Sequence, residues 1–132
     1  MSKPVILCVD DERIMLDSLR TQLAAEFGDA YSYEGAEDAE EALELISELN
    51  DDEVSVVMII SDWLMPGMKG DELLIRIHEK FPHIVKIMLT GQVDQSAIAR
   101  AQQQANLHKC LSKPWFEAEL RETIKSALSH KL

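Results

Sequence analysis

The 132-residue sequence is poor in glycine, proline and basic residues. It contains only 5 Gly and 4 Pro, whereas 46% of its residues are hydrophobic, which argues against disorder. Basic residues are also scarce, since 13 Lys and Arg stand against 24 Asp and Glu and give a formal net charge of -11. That charge would repel a phosphate backbone or an anionic membrane surface. We therefore expect no direct binding to nucleic acid or membrane.

Long apolar runs and a cysteine framework are missing as well. The first apolar run, VILCV, is too short for a signal-peptide core or a membrane span, so we expect a cytosolic protein. The two cysteines, Cys8 and Cys110, lie in separate apolar runs, where a free thiol behaves as a small buried hydrophobe. Structural thiols are expected rather than a disulfide. The four histidines lack metal-ligand spacing and are expected at the surface; they are His78, His83, His108 and His130.

Short apolar runs alternate five times with segments of helical period. The predicted strands cover residues 4–9, 30–34, 54–61, 84–89 and 107–112. Each is followed by apolar residues at helical spacing, and the last set is Phe116, Leu120, Ile124, Ala127 and Leu128. This alternation predicts an α/β fold with a doubly wound parallel sheet covered on both faces. The second strand is more polar and is expected near an edge, and the absence of any linker composition predicts one domain over residues 1–132.

Polar residues stand where the predicted strands end. Asp10 and Asp11 follow the first strand, Asp62 the third, Thr90 the fourth and Lys113 the fifth. In open parallel sheets ligands bind outside the carboxyl ends of the strands. Three carboxylates gathered there would repel one another and need a cation. A hard divalent ion with oxygen ligands, such as Mg²⁺, meets that need.

The same residues suit phosphoryl transfer to a carboxylate. Asp62 could attack phosphorus and form an acyl phosphate, as carboxylate nucleophiles do. Lys113 would supply a positive charge and Thr90 a hydroxyl to the phosphoryl oxygens. The sequence therefore contains each group that such a transfer needs.

The motifs VDDE, SDWLMPGMKG, LTG and LSKPW resemble, in order and content, the receiver domain of two-component response regulators over essentially the whole chain. The resemblance implies a five-stranded, flavodoxin-like sheet in the order 2-1-3-4-5 with five helices. It implies that Asp62 takes a phosphoryl group from the phosphohistidine of a sensor histidine kinase or a phosphotransfer protein, and that the chain catalyses only its own phosphorylation and dephosphorylation. Asp11, Asp62 and the carbonyl of Leu64 would bind Mg²⁺, with Asp10 acting through water.

The resemblance also implies the switching residues. Lys113 resembles the phosphate-pairing lysine, whose bond to Pro114 is often cis in the family, and Thr90 resembles the residue that turns toward the phosphoryl group. The fourth helix, fifth strand and fifth helix form the usual surface for a downstream effector domain or protein. Candidates on this output face are Gln102, Gln103, Lys109 and Trp115. A phosphorylation-dependent homodimer is left open.

Two positions depart from the family pattern. Cys110 stands where receivers usually carry an aromatic residue that rotates on phosphorylation, so the sequence does not support the aromatic half of the switch. Leu64 stands where many receivers have a polar residue that helps place the attacking water. We hypothesise that self-dephosphorylation is slower here than in a Leu64→Asn variant.

Other interpretations compete with a switch. Asp10 and Asp11 could simply cap the first helix, and a docking module could keep the fold without switching. A phosphatase of the haloacid-dehalogenase type would need a second Asp two residues after Asp62, where Leu64 stands. A nucleotide or flavin binder would want a donor-rich loop where the sequence has DDER. The kinase, the stimulus, the output and the oligomeric state are left open, as is whether the chain stands alone.

Overall fold

The computed structural model describes residues 3–92 and 94–129, which form a parallel sheet with helices on both faces. The strands are β1 (Val5–Val9), β2 (Ser32–Ala36), β3 (Val56–Asp62), β4 (Val85–Thr90) and β5 (Lys109–Ser112). The helices are α1 (Arg13–Phe27), α2 (Ala39–Asp51), α3 (Gly70–Lys80), α4 (Gln95–Gln104) and α5 (Glu117–Ser129), with a 3₁₀ turn at Gly28–Ala30. The strand order is β2-β1-β3-β4-β5, as the resemblance implied. The fold class predicted from the sequence is confirmed, and β2 does lie at an edge.

The sheet separates two hydrophobic cores. Residues of β1 alternate between them, so that Leu7 packs with the helices α2, α3 and α4 while Ile6 and Cys8 pack with α1 and α5. Both faces of β1 are therefore removed from water, and all five of its residues are buried. This explains why the strand is continuously apolar instead of alternating with a period of two.

Aspartate side chains fix the starts of two helices. The Asp38 carboxylate accepts a hydrogen bond of 2.8 Å from the backbone N–H of Glu41 at the start of α2. Asp94 does the same for Ala97 at the start of α4, at 3.0 Å. Each bond satisfies an N–H group that has no partner within its helix. The starts of α2 and α4 thus follow from local side-chain chemistry.

The structure corrects one core prediction. Phe116 was expected to face inward with the apolar residues of α5, but it is 78% exposed, whereas Leu120 and Ile124 are buried. The helix begins at Glu117, so Phe116 lies before the first helical residue and its direction is not set by the helical period. The helical period therefore sets the direction of Leu120 and Ile124 but not that of Phe116.

The structure locates both cysteines and three of the four histidines. Cys8 and Cys110 are free thiols on β1 and β5, separated by β3 and β4, as expected. His83 is exposed, whereas His108 is partly buried. His78 is also partly buried, so the expectation that these histidines lie at the surface holds for only some of them; His130 lies outside the described residues.

His78 contacts a buried lysine. Lys86 on β4 is only 1% exposed, and its Nζ atom lies 2.8 Å from Nδ1 of His78 and 3.2 Å from the carbonyl oxygen of Pro82. Burial, followed by the positive charge of Lys86, lowers the pKa of His78.

Within the part of the chain that the structure describes, no helix is long and apolar enough to cross a membrane.

Candidate functional site

The carboxyl ends of β1, β3 and β5 bring three charged side chains together. The Nζ atom of Lys113 lies 3.0 Å from Oδ2 of Asp10 and 3.4 Å from Oδ1 of Asp62. The lysine side chain is 12% exposed and the two carboxylates 3% and 6%. Residues more than 100 positions apart in the sequence are thus in direct contact because parallel strands end at one edge of the sheet.

Asp11 completes a cluster of acidic groups. Carboxylate oxygens of Asp10, Asp11 and Asp62 lie within 4.8 Å of one another, and the first and last of these side chains are buried while Asp11 is exposed. Hard oxygen ligands at this spacing fit a divalent ion such as Mg²⁺. An exposed third ligand leaves one side of the cluster accessible to water and to a substrate.

Asp10 does not cap α1, whose start has no side-chain cap, but it holds the turn before the helix and contacts Lys113. Its Oδ1 atom accepts a hydrogen bond of 2.9 Å from the backbone N–H of Glu12, just before α1, while its Oδ2 atom faces Lys113. The side chain therefore supports the turn into the helix and also belongs to the charged cluster. Both of its oxygens already have protein partners.

Burial dominates the electrostatics of the cluster. It raises the pKa of Asp62 to about 6 from an ordinary value of 3.8, and Asp10 and Asp11 act in the same direction, although Lys113 opposes them. Burial lowers the pKa of Lys113, but the hydrogen bond to Asp10 and the charge of Asp62 outweigh it, so the net shift is upward. The lysine is therefore cationic at neutral pH, and the cluster still has unbalanced negative charge.

Thr90 ends β4 beside the cluster and is only 8% exposed. Its hydroxyl donates a hydrogen bond to the carbonyl of Gln92 and accepts one of 3.0 Å from the N–H of the same residue. The carbonyl of Thr90 accepts a hydrogen bond of 2.9 Å from the N–H of Lys113. The hydroxyl is thus held within its own loop, while the backbone connects the ends of β4 and β5.

A cleft of about 500 Å³ leads to the cluster. Asp62 and Lys113 lie in its wall together with Leu64, whose side chain is 47% exposed. The cis peptide bond between Lys113 and Pro114, which the resemblance implied, lies at the same place. The cleft gives a small anionic reagent access to Asp62.

The other predicted residues lie outside the charged cluster. Lys109 is exposed at the start of β5, and Cys110 is partly buried against the core that contains α4. Trp115 packs against the core of α1 and α5, and its Nε1 atom donates a hydrogen bond of 2.6 Å to Oε1 of Gln22 on α1. The indole of Trp115 is therefore held within the domain, and a role of these residues in output stays a prediction.

The sequence reasoning missed the support behind Asp62. Gly70 begins α3 directly against this strand end, and a Cβ atom there would overlap the carbonyl oxygen of Asp62 and lie 2.9 Å from Cα of Trp63. The indole N–H of Trp63 donates to Asp71, at 3.1 Å, and Asp71 pairs with Arg100 of α4. In the sequence Gly70 is only the last letter of the motif SDWLMPGMKG, and nothing there pairs Asp71 with a residue 29 positions away.

The fold and the family of the chain agree. The family model for the response regulator receiver domain matches residues 6–125, and the chain belongs to this family. Receiver domains act in two-component signalling and are not typical enzymes. The family prediction made from the four motifs is confirmed.

Individual relatives give the same result. The chain is 31% identical over 122 residues to the chemotaxis protein CheY of Pseudomonas aeruginosa, covering 91% of this chain and 92% of that protein. It is 33% identical over 123 residues to the hydrogenase transcriptional regulatory protein HoxA of Cupriavidus necator, covering 93% of this chain but 24% of HoxA. The chain thus spans about a quarter of the length of that regulator.

A solved structure of similar shape is the signal receiver domain of an HD domain-containing protein from Pseudomonas fluorescens Pf-5. It superimposes with a TM-score of 0.87 and 35% sequence identity, covering 98% of this chain and 97% of that one. The crystal structure of a CheY-like receiver domain from Methanospirillum hungatei has a TM-score of 0.84 and 31% identity, with coverage of 98% and 97%.

Proposed function

We propose that the chain is a phosphorylation-dependent switch in which Asp62 accepts a phosphoryl group from a phosphohistidine of a sensor kinase or phosphotransfer protein. A carboxylate oxygen of Asp62 attacks phosphorus, the bond between phosphorus and the histidine nitrogen breaks, and an acyl phosphate forms. The modified domain then favours a state with different affinity for a downstream effector domain or protein.

The contact between Lys113 and Asp62 within the acidic cluster carries this proposal. Lys113 stands 3.4 Å from the carboxylate oxygen, where its ammonium group would pair with an oxygen of the incoming phosphoryl group. Positioned charge is the main protein contribution to phosphoryl transfer. The cleft beside the cluster would give the phosphoryl donor access to Asp62.

The charge of the cluster supports a requirement for Mg²⁺. Three ionised carboxylates and one ammonium leave excess negative charge that would repel a phosphoryl group. The ion, when bound, would neutralise this charge and the phosphoryl oxygens. Asp11, Asp62 and the carbonyl of Leu64 would hold it, and Asp10 would act through water, since both oxygens of Asp10 already have protein partners.

Thr90 would change partners on phosphorylation. Its hydroxyl now donates to the carbonyl of Gln92, and a phosphoryl group on Asp62 would offer a more strongly charged acceptor. Release of Gln92 would then alter the loop between β4 and α4.

Cytoplasmic location, a phosphorylation-dependent homodimer and an output face with Lys109, Cys110 and Trp115 remain predictions of the same proposal.

A docking module that keeps the fold without switching is the second candidate. It is favoured by Cys110, which replaces the aromatic residue of the usual switch. An Asp62→Asn variant that binds a partner as well as the wild type under phosphorylating conditions would support docking. Loss of the phosphorylation-dependent difference in that variant would support the switch.

The proposed chemistry is tested by intact mass after incubation with Mg²⁺ and acetyl phosphate. The wild type should gain one phosphoryl group, whereas Asp62→Asn and a sample with metal chelated should gain none. Asp17→Asn is a matched control, because Asp17 lies on the exposed surface of α1. An unmodified wild type that also fails to bind the phosphoryl mimic beryllofluoride would overturn the proposal.

A further inference from the structure

We infer that Trp63, Asp71 and Arg100 form a side-chain connection through which the state of Asp62 controls α4. The inference rests on the proposed phosphorylation of Asp62. Three observations support it: the attachment of α4, the partners of a buried carboxylate, and the packing of Trp63 beside Asp62.

The helix α4 is held to the core by small side chains. Its buried residues are Ala97 and Ala101, and Ile98 is partly buried. By contrast, α3 buries Leu73, Leu74 and Ile77. Alanine removes little apolar surface from water compared with leucine or isoleucine, so α4 has little apolar attachment and is expected to open locally more readily than α3.

Arg100 attaches α4 to the start of α3. Its Nη1 atom lies 3.0 Å from Oδ2 of Asp71, and its Nη2 atom pairs with Glu72. The Asp71 side chain is only 11% exposed, and a buried carboxylate needs charged or hydrogen-bonding partners. Because α4 has few large buried side chains, this pair forms an important part of its attachment.

The other partner of Asp71 is the residue next to Asp62. Nε1 of Trp63 donates to Oδ1 of Asp71 at 3.1 Å, and the Lys69 ammonium lies 5.2 Å from the centre of the indole ring. The backbone N–H of Trp63 bonds to the carbonyl of Leu89 on β4 at 2.8 Å, and its carbonyl accepts from the N–H of Gly70, also at 2.8 Å. Trp63 is therefore fixed to the end of β3 and to the start of α3 at once.

These contacts form a continuous path from Asp62 to α4 that does not use position 110. A change in the backbone of Asp62 shifts the indole, the indole hydrogen bond shifts the Asp71 carboxylate, and the carboxylate holds Arg100. Networks with two discrete arrangements carry coupling between sites, and here the two arrangements would be the bonded pair of Asp71 and Arg100 and its released form. The path supplies a connection in a chain where Cys110 replaces the aromatic switch residue.

The test combines amide hydrogen exchange of residues 95–104 with intact mass, using the whole chain with and without Mg²⁺ and beryllofluoride. Trp63→Phe keeps an aromatic ring but removes the indole N–H, and Arg100→Gln removes the charge on α4. Arg76→Gln is the matched control, because Arg76 is an exposed arginine that pairs with Glu72, at 3.0 Å, and not with Asp71 among the described residues. All three variants should still gain a phosphoryl group from acetyl phosphate.

In the wild type and in Arg76→Gln, beryllofluoride should change the exchange rate of α4 by about fivefold or more, the lower end of usual coupling between sites. In Trp63→Phe and Arg100→Gln the change should fall below about twofold. Arg100 is partly exposed, so its replacement by Gln should not impair folding. A full response of α4 to beryllofluoride in Arg100→Gln would therefore refute the connection. A wild type that is phosphorylated without any response of α4 would refute the connection but leave the proposed function intact, whereas a wild type that gains no phosphoryl group would contradict both.

Discussion

The ammonium nitrogen of Lys113 lies 3.4 Å from a carboxylate oxygen of Asp62, and both side chains are almost wholly shielded from solvent. A lysine in this position stabilises the ionised form of its neighbour and is itself held by a second carboxylate, that of Asp10. The two residues come from the ends of different strands. Their contact is therefore a property of the sheet edge and not of either local sequence.

Replacing Lys113 by Met should raise the pKa of Asp62 above its present value of about 6, because the nearby positive charge would be lost while burial remained. The free energy of unfolding at pH 7 should fall by about 3 kcal/mol, since two buried carboxylates would lose their cation. Carboxyl ¹³C chemical shifts against pH and urea unfolding give the two values. The control Lys109→Met, which replaces an exposed lysine of β5, should change neither value. An unchanged Asp62 titration in Lys113→Met would contradict the assigned pairing.

Asp62 should make stability depend on pH in the absence of divalent ions. Its pKa is about 6 in the folded protein against an ordinary value of 3.8, so the folded state binds the proton more tightly. The resulting stabilisation is complete below about pH 4 and is lost as the pH rises through about 6. Asp62→Asn removes this dependence and should raise the free energy of unfolding at pH 7 by roughly 1 to 3 kcal/mol.

Urea unfolding of the wild type and Asp62→Asn at a series of pH values checks that sign. The difference between the two proteins should grow between about pH 4 and pH 6 and stay constant above. Added Mg²⁺ should reduce the difference, because an ion that binds the folded wild type stabilises it by mass action. A variant less stable than the wild type at pH 7 without metal would show that the Lys113 contact outweighs burial.

Leu64→Asn should shorten the lifetime of the phosphorylated protein several-fold. Leu64 lies in the cleft wall with Asp62 and is 47% exposed, so an amide at this position could hydrogen-bond a water molecule that attacks phosphorus. Ile14→Asn is the control, since Ile14 is a still more exposed apolar residue, at 84%. Loss of the phosphoryl mass with time measures the rate, and an equal or longer lifetime in Leu64→Asn would count against the hypothesis.

Gly70→Ala should destabilise the fold and disturb the end of β3. Its Cβ atom would overlap the carbonyl oxygen of Asp62 and lie 2.9 Å from Cα of Trp63, both of which are backbone atoms that cannot rotate away. The cost should be about 1 to 3 kcal/mol, as for other overpacked sites. Gly91→Ala is the matched control, because an added Cβ there meets nothing within 4 Å, and thermal or urea unfolding compares the two. Equal stability of the two variants would contradict the close packing of α3 against Asp62.

Some of the structure was predictable because it depends on patterns along the chain. The five apolar runs indicated the strands, and the residues after them indicated which side chains would share an edge. Predicted strand bounds differ from the observed ones by a few residues, as at β2, expected over residues 30–34 and found at Ser32–Ala36. Phe116 was misplaced because a helical period was continued into residues that are not helical.

The sequence by itself determined the fold class and the candidate acidic, hydroxyl and lysine groups, because hydrophobic period and strand-end position are encoded locally. Only the tertiary structure decided which groups touch: Lys113 with Asp10 and Asp62, and Arg100 with Asp71. These pairs join residues distant in sequence, and their distances depend on how the sheet and helices pack. The raised pKa of Asp62 has the same origin, since burial is a property of the assembled fold and not of any residue alone.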